Sequence, residues 1–477
     1  MRSSWPFLLA LAVTWTPGGV AGQEPVTAVG APEGTGAVAV IGGTLVDGTG
    51  GAPVPGSVIV IRDGRIECVG PVAGCAVPGD AAVVDARGKW VIPGLIDAHV
   101  HYSQTGFADG RPDALDLRER FPYDSTVAAN RLDPWRYHRA YLCSGVTAVF
   151  DVGGFPWTWS MREDAAWTDE APHVAAAGPL LSTADHWLNL PGERQFIHIA
   201  TDSAVEAGAR YVALNGSDAL KVWFLHGESS ADAAGWEHRV MLAGRLADEW
   251  GLPFLVHATG LWQAKVAVRA GADVLVHSVY EEAVDQEFLD LARAAGTIYT
   301  PTLIVHEGYA QLAARDFDEG AYGDELACVD PETRAKAFLT DSLPGGPAAD
   351  RQRMRAAGER RSVIMAENLL RVRAAGIPVA MGTDAGNPLT LAGPSVYLEM
   401  EAMQAAGMTP MEVLVASTRT AAAAMGRGDA IGTVERGKVG DLVVLDADPL
   451  ADIRNVRQVD LVVRGGRVLR RANLRQP

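Results

Sequence analysis

Histidines close three apolar stretches of this 477-residue chain: Leu95-Ile96-Asp97-Ala98-His99-Val100-His101, Phe254-Leu255-Val256-His257 and Val274-Leu275-Val276-His277. Residues two apart on a strand face the same way, so His99 and His101 project together. A single histidine in such a place is commonly a core residue whose hydrogen bonds are satisfied. Four at matching strand ends are better explained as metal ligands. Neutral imidazoles bind zinc well, and three or four converging nitrogens make the usual ligand set. Asp384 ends a fourth apolar stretch, Val379-Ala380-Met381-Gly382-Thr383-Asp384. A carboxylate there is costly to bury unless a cation meets it.

Lys221 sits inside Ala219-Leu220-Lys221-Val222-Trp223-Phe224-Leu225, where an unpaired ammonium is equally costly. Three arrangements relieve that cost. The amine forms a salt bridge to a nearby carboxylate, or it snorkels to the end of the strand. In the third, it reacts with carbon dioxide to give a carbamate that bridges two metals. The residue types leave all three open.

These residues need elements that bring them to one place. Strand-like segments at 91–101, 145–154, 173–182, 219–225, 253–259, 274–280, 297–305 and 378–386 alternate with helical stretches such as AAGWEHRVMLAGRLADEWG and RRSVIMAENLLRVRAAG. Eight strands with helices between them predict an α/β fold, a (β/α)8 TIM barrel over 91–430 with its active site at the C-terminal strand ends. A doubly wound open sheet is the alternative, but no G-x-G-x-x-G follows the first strand.

The two chain ends read differently. AVAVIGGTLVDG, SVIVIRDGRIECVG and AAVVDARGKWVIPG near the start, and DLVVLDADP and VDLVVRGGRVLR near the finish, are β-branched runs broken by glycine turns. Two separate hairpins would be marginal. Residues 37–90 and 431–477 are therefore expected to close into one small β-sandwich domain.

Residues 1–22 have the form of a secretory signal peptide, with Arg2, an apolar run at 6–16 and Val20-Ala21-Gly22 before Gln23. Residues 23–36 read as a Gly/Pro/Ala-rich linker. An uncleaved anchor is the alternative, but the run is short for a bilayer span. The mature protein is expected to be secreted or periplasmic, with no stable membrane span. Export permits disulfides; Cys68 and Cys75 lie close enough to pair, and four cysteines allow three full pairings. A composition of 48% hydrophobic and 21% charged residues excludes a disordered chain. A net charge of −17 argues against nucleic acid as a partner and leaves a small-molecule substrate and a homo-oligomer compatible.

Taken together, PGLIDAHVH, the strand-four lysine, the histidines closing strands five and six, GTDAG and the tail GTVERGKVGDLVVLDADPL resemble the amidohydrolase superfamily. The likeness covers 37–470 and is nearest the group holding imidazolonepropionase and the prolidase-like dipeptidases. It implies that His99, His101 and Asp384 bind one zinc, that His257 and His277 bind a second, and that Lys221 bridges them as a carbamate. It also implies that Asp384 takes a proton from the bridging hydroxide and returns it to the leaving nitrogen. Imidazolonepropionase-like members lack the lysine and need one metal. Lys221 therefore favours the binuclear, dipeptidase-like branch, and an unmodified Lys221 would leave one zinc.

The implied activity is hydrolysis of the amide C–N bond of a dipeptide or N-acyl amino acid. A cyclic amide of the imidazolonepropionase type, a lactone or a phosphotriester would use the same metals. A non-catalytic scaffold would have lost ligands, and all six candidates are present here. For substrate contacts, Trp157 and Trp159 follow strand two and suit an apolar pocket wall, with packing against the barrel as the alternative. His186, His226 and Tyr280 follow strands three, four and six and are candidates to hold the substrate carbonyl, with a structural role open for each. The segment 306–350, rich in Gly, Asp and Ala, reads as a lid or an insertion.

Overall fold

A computed structural model describes residues 36–343 and 348–476. The expected signal peptide, and the linker apart from Gly36, lie outside the described residues. The chain opens with β1 (Ala37–Leu45), β2 (Val54–Arg62), β3 (Arg65–Pro71), β4 (Ala82–Asp85) and β5 (Trp90–Pro93). Asp63-Gly64 joins β2 to β3 with φ of 49° and 77°, the turn handedness that matches the twist of paired strands.

Parallel strands follow. β6 (Leu95–Val100), β7 (Val146–Asp151) and β8 (His173–Ala176) make a three-stranded sheet in that order. β9 (Leu180–Ser182), β10 (Phe196–His198), β11 (Leu220–Trp223), β12 (Phe254–His257), β13 (Val274–Val276) and β14 (Ile298–Thr300) make a six-stranded sheet in the order β10-β9-β11-β12-β13-β14. The strand expected at 173–182 is thus divided into β8 and β9. Gly178 lies in the break at φ 64°, and a Cβ there would stand 2.3 Å from the Trp159 indole, so the bend needs glycine.

The segment expected as an eighth strand is extended but makes only isolated bridges, Val379 with Tyr299 of β14 and Ala385 with Val100 of β6. Ala380 N donates to Tyr299 O at 3.0 Å, and Ala98 N donates to Met381 O at 3.1 Å, so this segment joins the two parallel sheets. Between these two bridges the backbone turns at Asp384, where φ is 62°. Helices pack between the strands, among them Ala233–Trp250 and Gln286–Ala295. The second is started by the Asp285 carboxylate, which accepts Phe288 N–H at 3.0 Å.

β15 (Leu442–Leu445), β16 (Val459–Arg464) and β17 (Arg467–Arg470) then return to the first strands. β15 pairs with β5 and β5 with β1, so the two chain ends form one continuous eight-stranded sheet. Alternation along β15 explains its position. Leu442 and Val444 face the sheet's own core beside Ile59 and Ile61, while Val443 and Leu445 join the large core of the α/β part.

The stretch after β14 is packed and helical, with helices Val305–Ala314 and Pro331–Phe338. Its Leu312, Phe317, Tyr322, Leu326 and Val329 cluster with Phe107, Leu389 and Leu391. Disulfides join Cys68 to Cys75 and Cys143 to Cys328. The second ties helix Trp135–Cys143 to this stretch, beside a buried ion pair of Arg471 with Glu325. Among the described residues no helix is long and apolar enough to cross a membrane.

Candidate metal centre and substrate cavity

The C-terminal ends of β6, β11, β12 and β13 open on one cavity with about 160 Å³ of free space. His99, His101, Lys221, His257, His277 and Asp384 all line it. Register brings the strand residues together: Trp223 pairs with His257, and His257 with Val276, so His257 and His277 stand at adjacent strand ends. Their ring centroids are 4.5 Å apart, and those of His99 and His277 are 4.8 Å apart.

The local hydrogen bonds decide which atoms face inward. His101 Nδ1 lies 2.6 Å from the Gly153 carbonyl, which can only accept, so Nδ1 carries a proton and Nε2 is the nitrogen that faces the cavity. That Nε2 is 3.0 Å from Asp384 Oδ1, and His99 Nε2 is 3.3 Å from the same oxygen. His277 Nδ1 is held by Thr302 Oγ1 at 2.8 Å. His99, His277 and Asp384 can each offer one ligand atom, all within 4.8 Å of one another.

Burial shapes the charges. It pushes His99 down to about 4, against the pull of Asp384, and His257 and His277 well below the usual histidine range. His99, His257 and His277 are therefore neutral near pH 7, the form that binds metals. Burial would raise Asp384, but His99, His101 and His277 outweigh it and hold the carboxyl well below its usual range. Lys221 is only 3% exposed, its Nζ has no hydrogen-bond partner, and burial drives its amine down to about 7. Lone-pair nitrogens converging on a carboxylate, beside an unpartnered buried amine, are a donor set that fits a cation.

The opposite wall is built from loops. Arg111 chelates Asp113 through two hydrogen bonds of 2.9 and 2.8 Å and also donates to Asn387 Oδ1. Tyr309 OH donates to the same Asn387 oxygen at 2.7 Å, so the Asn387 amide group faces Asp384, to whose Oδ1 it donates at 2.7 Å. Leu180, Leu188, Phe196, Trp223 and Val305 supply the apolar lining.

The remaining sequence candidates are scattered. Tyr280 lines the cavity, its ring 4.6 Å from that of His306. His186 packs behind the lining, stacked on Trp187 and 3.7 Å from Asp113. His226 stacks on Trp236 at 4.4 Å, outside the lining. Trp157 and Trp159 are buried in the core, not at the cavity, because they belong to the helix Trp157–Ala166 that starts at once after Pro156. Sequence reasoning passed over Arg111, His306, Tyr309 and Asn387. Asn387 had a usable signal, lying three residues beyond Asp384. Arg111 and Tyr309 had none.

The description "Amidohydrolase family" belongs to the family model that matches residues 90–469. The imidazolonepropionase of Shouchella clausii is 41% identical over 403 residues, 82% of this chain and 79% of that protein. The imidazolonepropionase of Chromobacterium violaceum is 29% identical over 429 residues, 84% of this chain and 88% of that one. A crystal structure of a Xaa-Pro dipeptidase with bound methionine in its active site shares the fold, with a TM-score of 0.67 at 22% identity over 91% of this chain and 100% of that one. This chain therefore belongs to the amidohydrolase family and is a hydrolase acting on carbon–nitrogen bonds.

Proposed function

We propose that the protein is an exported, zinc-dependent amidohydrolase that cleaves the amide bond of a dipeptide or N-acyl amino acid. The observation that carries this reading is a single cavity whose lining brings together six candidate metal ligands, the Arg111 guanidinium and several apolar side chains. The two parallel sheets and the 378–386 segment are read as one eight-stranded (β/α)8 barrel, with β8 and β9 as one interrupted strand and β10 as an edge strand outside the eight. Two disulfides and the N-terminal pattern support export.

In this reading His99, His101 and Asp384 would hold one zinc, and His257 and His277 a second. Lys221 lies on the same cavity wall. With its amine near 7, much of it is neutral at pH 7. The neutral nitrogen attacks carbon dioxide, forms one N–C bond as one C–O π bond opens, and releases one proton, which turns a neutral amine into an anionic ligand. Zinc held by these residues would supply a water that ionises near pH 7 and would itself polarise the scissile carbonyl. Asp384 takes up a proton on its carboxylate and delivers it to the amide nitrogen as the C–N bond breaks. Arg111 pairs with the substrate carboxylate, and Phe196 and Trp223 receive its apolar side chain.

A second reading has support of its own. The two sequence relatives named above are imidazolonepropionases, and His99, His277 and Asp384 converge within 4.8 Å. On that reading one zinc suffices, Lys221 stays an amine, and the substrate is a cyclic amide. Elemental analysis of protein purified without chelators separates the two. About two zinc per chain, with turnover of dipeptides or N-acyl amino acids, supports the binuclear enzyme. About one zinc, with those substrates inert, moves the assignment to the cyclic amide.

A further inference from the structure

Thr302 lies two residues beyond β14, is fully buried, and has φ of 46°. A β-branched residue is strained in that backbone region, and such a conformation persists only where the surroundings over-determine it. Here two grips do so. Glu399, buried in the helix Ser395–Ala405, accepts Leu303 N–H at 2.9 Å on one carboxylate oxygen and Ile304 N–H at 3.0 Å on the other. From the opposite side Ser278 donates both its N–H and its hydroxyl to the Pro301 carbonyl, each at 3.1 Å, and His277 N–H donates to Thr300 O at 2.9 Å. The backbone is thus held immediately before and after Thr302. The result is that Oγ1 meets His277 Nδ1 at 2.8 Å, while His277 itself sits at φ 72°.

We propose that Thr302 is a positioning residue for His277. The clamped 301–304 segment places a hydroxyl that fixes the rotation of the imidazole and occupies Nδ1, so that Nε2 is the nitrogen left for a ligand. Glu399 acts one step further out, by holding the backbone that holds the hydroxyl. The inference rests on the reading of His277 as a metal ligand. A partner on the second nitrogen of a metal-bound histidine orients the ring and raises its basicity, and losing it typically weakens metal binding 10–100-fold.

The test is zinc retention against a competing chelator, together with the melting midpoint of the zinc-free protein, for wild type, Thr302→Val, Thr302→Ser, Glu399→Gln and His277→Ala. Valine keeps the branched shape and the strain but not the hydroxyl. Thr302→Val should hold zinc roughly 10–100-fold more weakly with a zinc-free midpoint near wild type, while Thr302→Ser stays within about threefold. Glu399→Gln should weaken zinc retention too and lower the zinc-free midpoint, and it carries the test if Thr302→Val does not fold. Wild-type retention in Thr302→Val and Glu399→Gln, with His277→Ala defective, overturns the inference and leaves the ligand reading intact. Equal losses in the valine and serine variants also overturn it, since the hydroxyl would then not matter. Wild-type retention in His277→Ala overturns the ligand reading, and the inference with it.

Discussion

His99, Lys221, His257 and His277 reach the cavity from strands or the residue just past a strand end, whereas Arg111, His306, Tyr309 and Asn387 reach it from loops and from the helix Val305–Ala314. The strand wall is buried, and its residues are set by parallel register, as where Trp223 meets His257. The loop wall is set by side-chain hydrogen bonds, above all those converging on the Asn387 amide. The first wall suits chemistry that tolerates little displacement. The second can be altered by substitution without disturbing a sheet, and so the proposed function puts substrate choice there.

If that division holds, substitutions on the strand wall should strike turnover and metal content, and those on the loop wall should strike substrate affinity. The largest effect is expected from Asp384→Asn, which should lower kcat on the order of 10²–10⁴-fold while much of the zinc remains bound. Near-normal turnover in that variant would remove Asp384 from its assigned role. Lys221→Ala should lose zinc and cost at least the roughly 10–100-fold that loss of a mere supporting partner costs at a metal site. Added short-chain carboxylic acids should restore part of the activity. Failure of rescue with wild-type metal content would refute the carbamate. On the other wall, Arg111→Met should reduce kcat/KM for carboxylate-bearing substrates roughly 10–100-fold, as expected for a lost charge-assisted hydrogen bond, mainly through KM. Methyl esters of the same substrates should show little difference, and an equal loss on esters would contradict the pairing. The smallest effect concerns two tryptophans. Trp223, an apolar side chain on β11, is the exception on the strand wall: Trp223→Leu should raise KM for substrates with large apolar groups, while the core variant Trp157→Phe leaves KM unchanged and lowers the melting midpoint.

The strand wall could be read from the chain because its signals are local. A histidine or aspartate at the end of a short apolar run says where it lies along a strand, and parallel strands put such ends side by side. The end hairpins were equally legible, since Asp63-Gly64 and Gly465-Gly466 are turns that only a few residue pairs make well. The loop wall was not legible, because Arg111 and Tyr309 are brought in by packing between distant segments, with Phe107 against Leu312 and Leu389. Nothing within a few residues of Arg111 encodes that contact. For Trp157 and Trp159, which follow a strand end, the chain leaves a pocket wall and packing against the barrel both open; the helix start after Pro156 is what turns them toward the core. The division of 173–182 and the bridges of 378–386 were hidden for a related reason: both depend on what the neighbouring chain does, not on the segment's own pattern.

The Cys143–Cys328 disulfide closes a covalent ring that contains every strand from β7 to β14. Lys221, His257 and His277 lie within the ring, whereas His99, His101 and Asp384 belong to the two open arms that flank it. A single proteolytic cut anywhere between the two cysteines would leave one covalent molecule, with both arms still tethered. An enzyme working among extracellular proteases would thereby outlast its first nick, and the cut would show on a gel only after reduction.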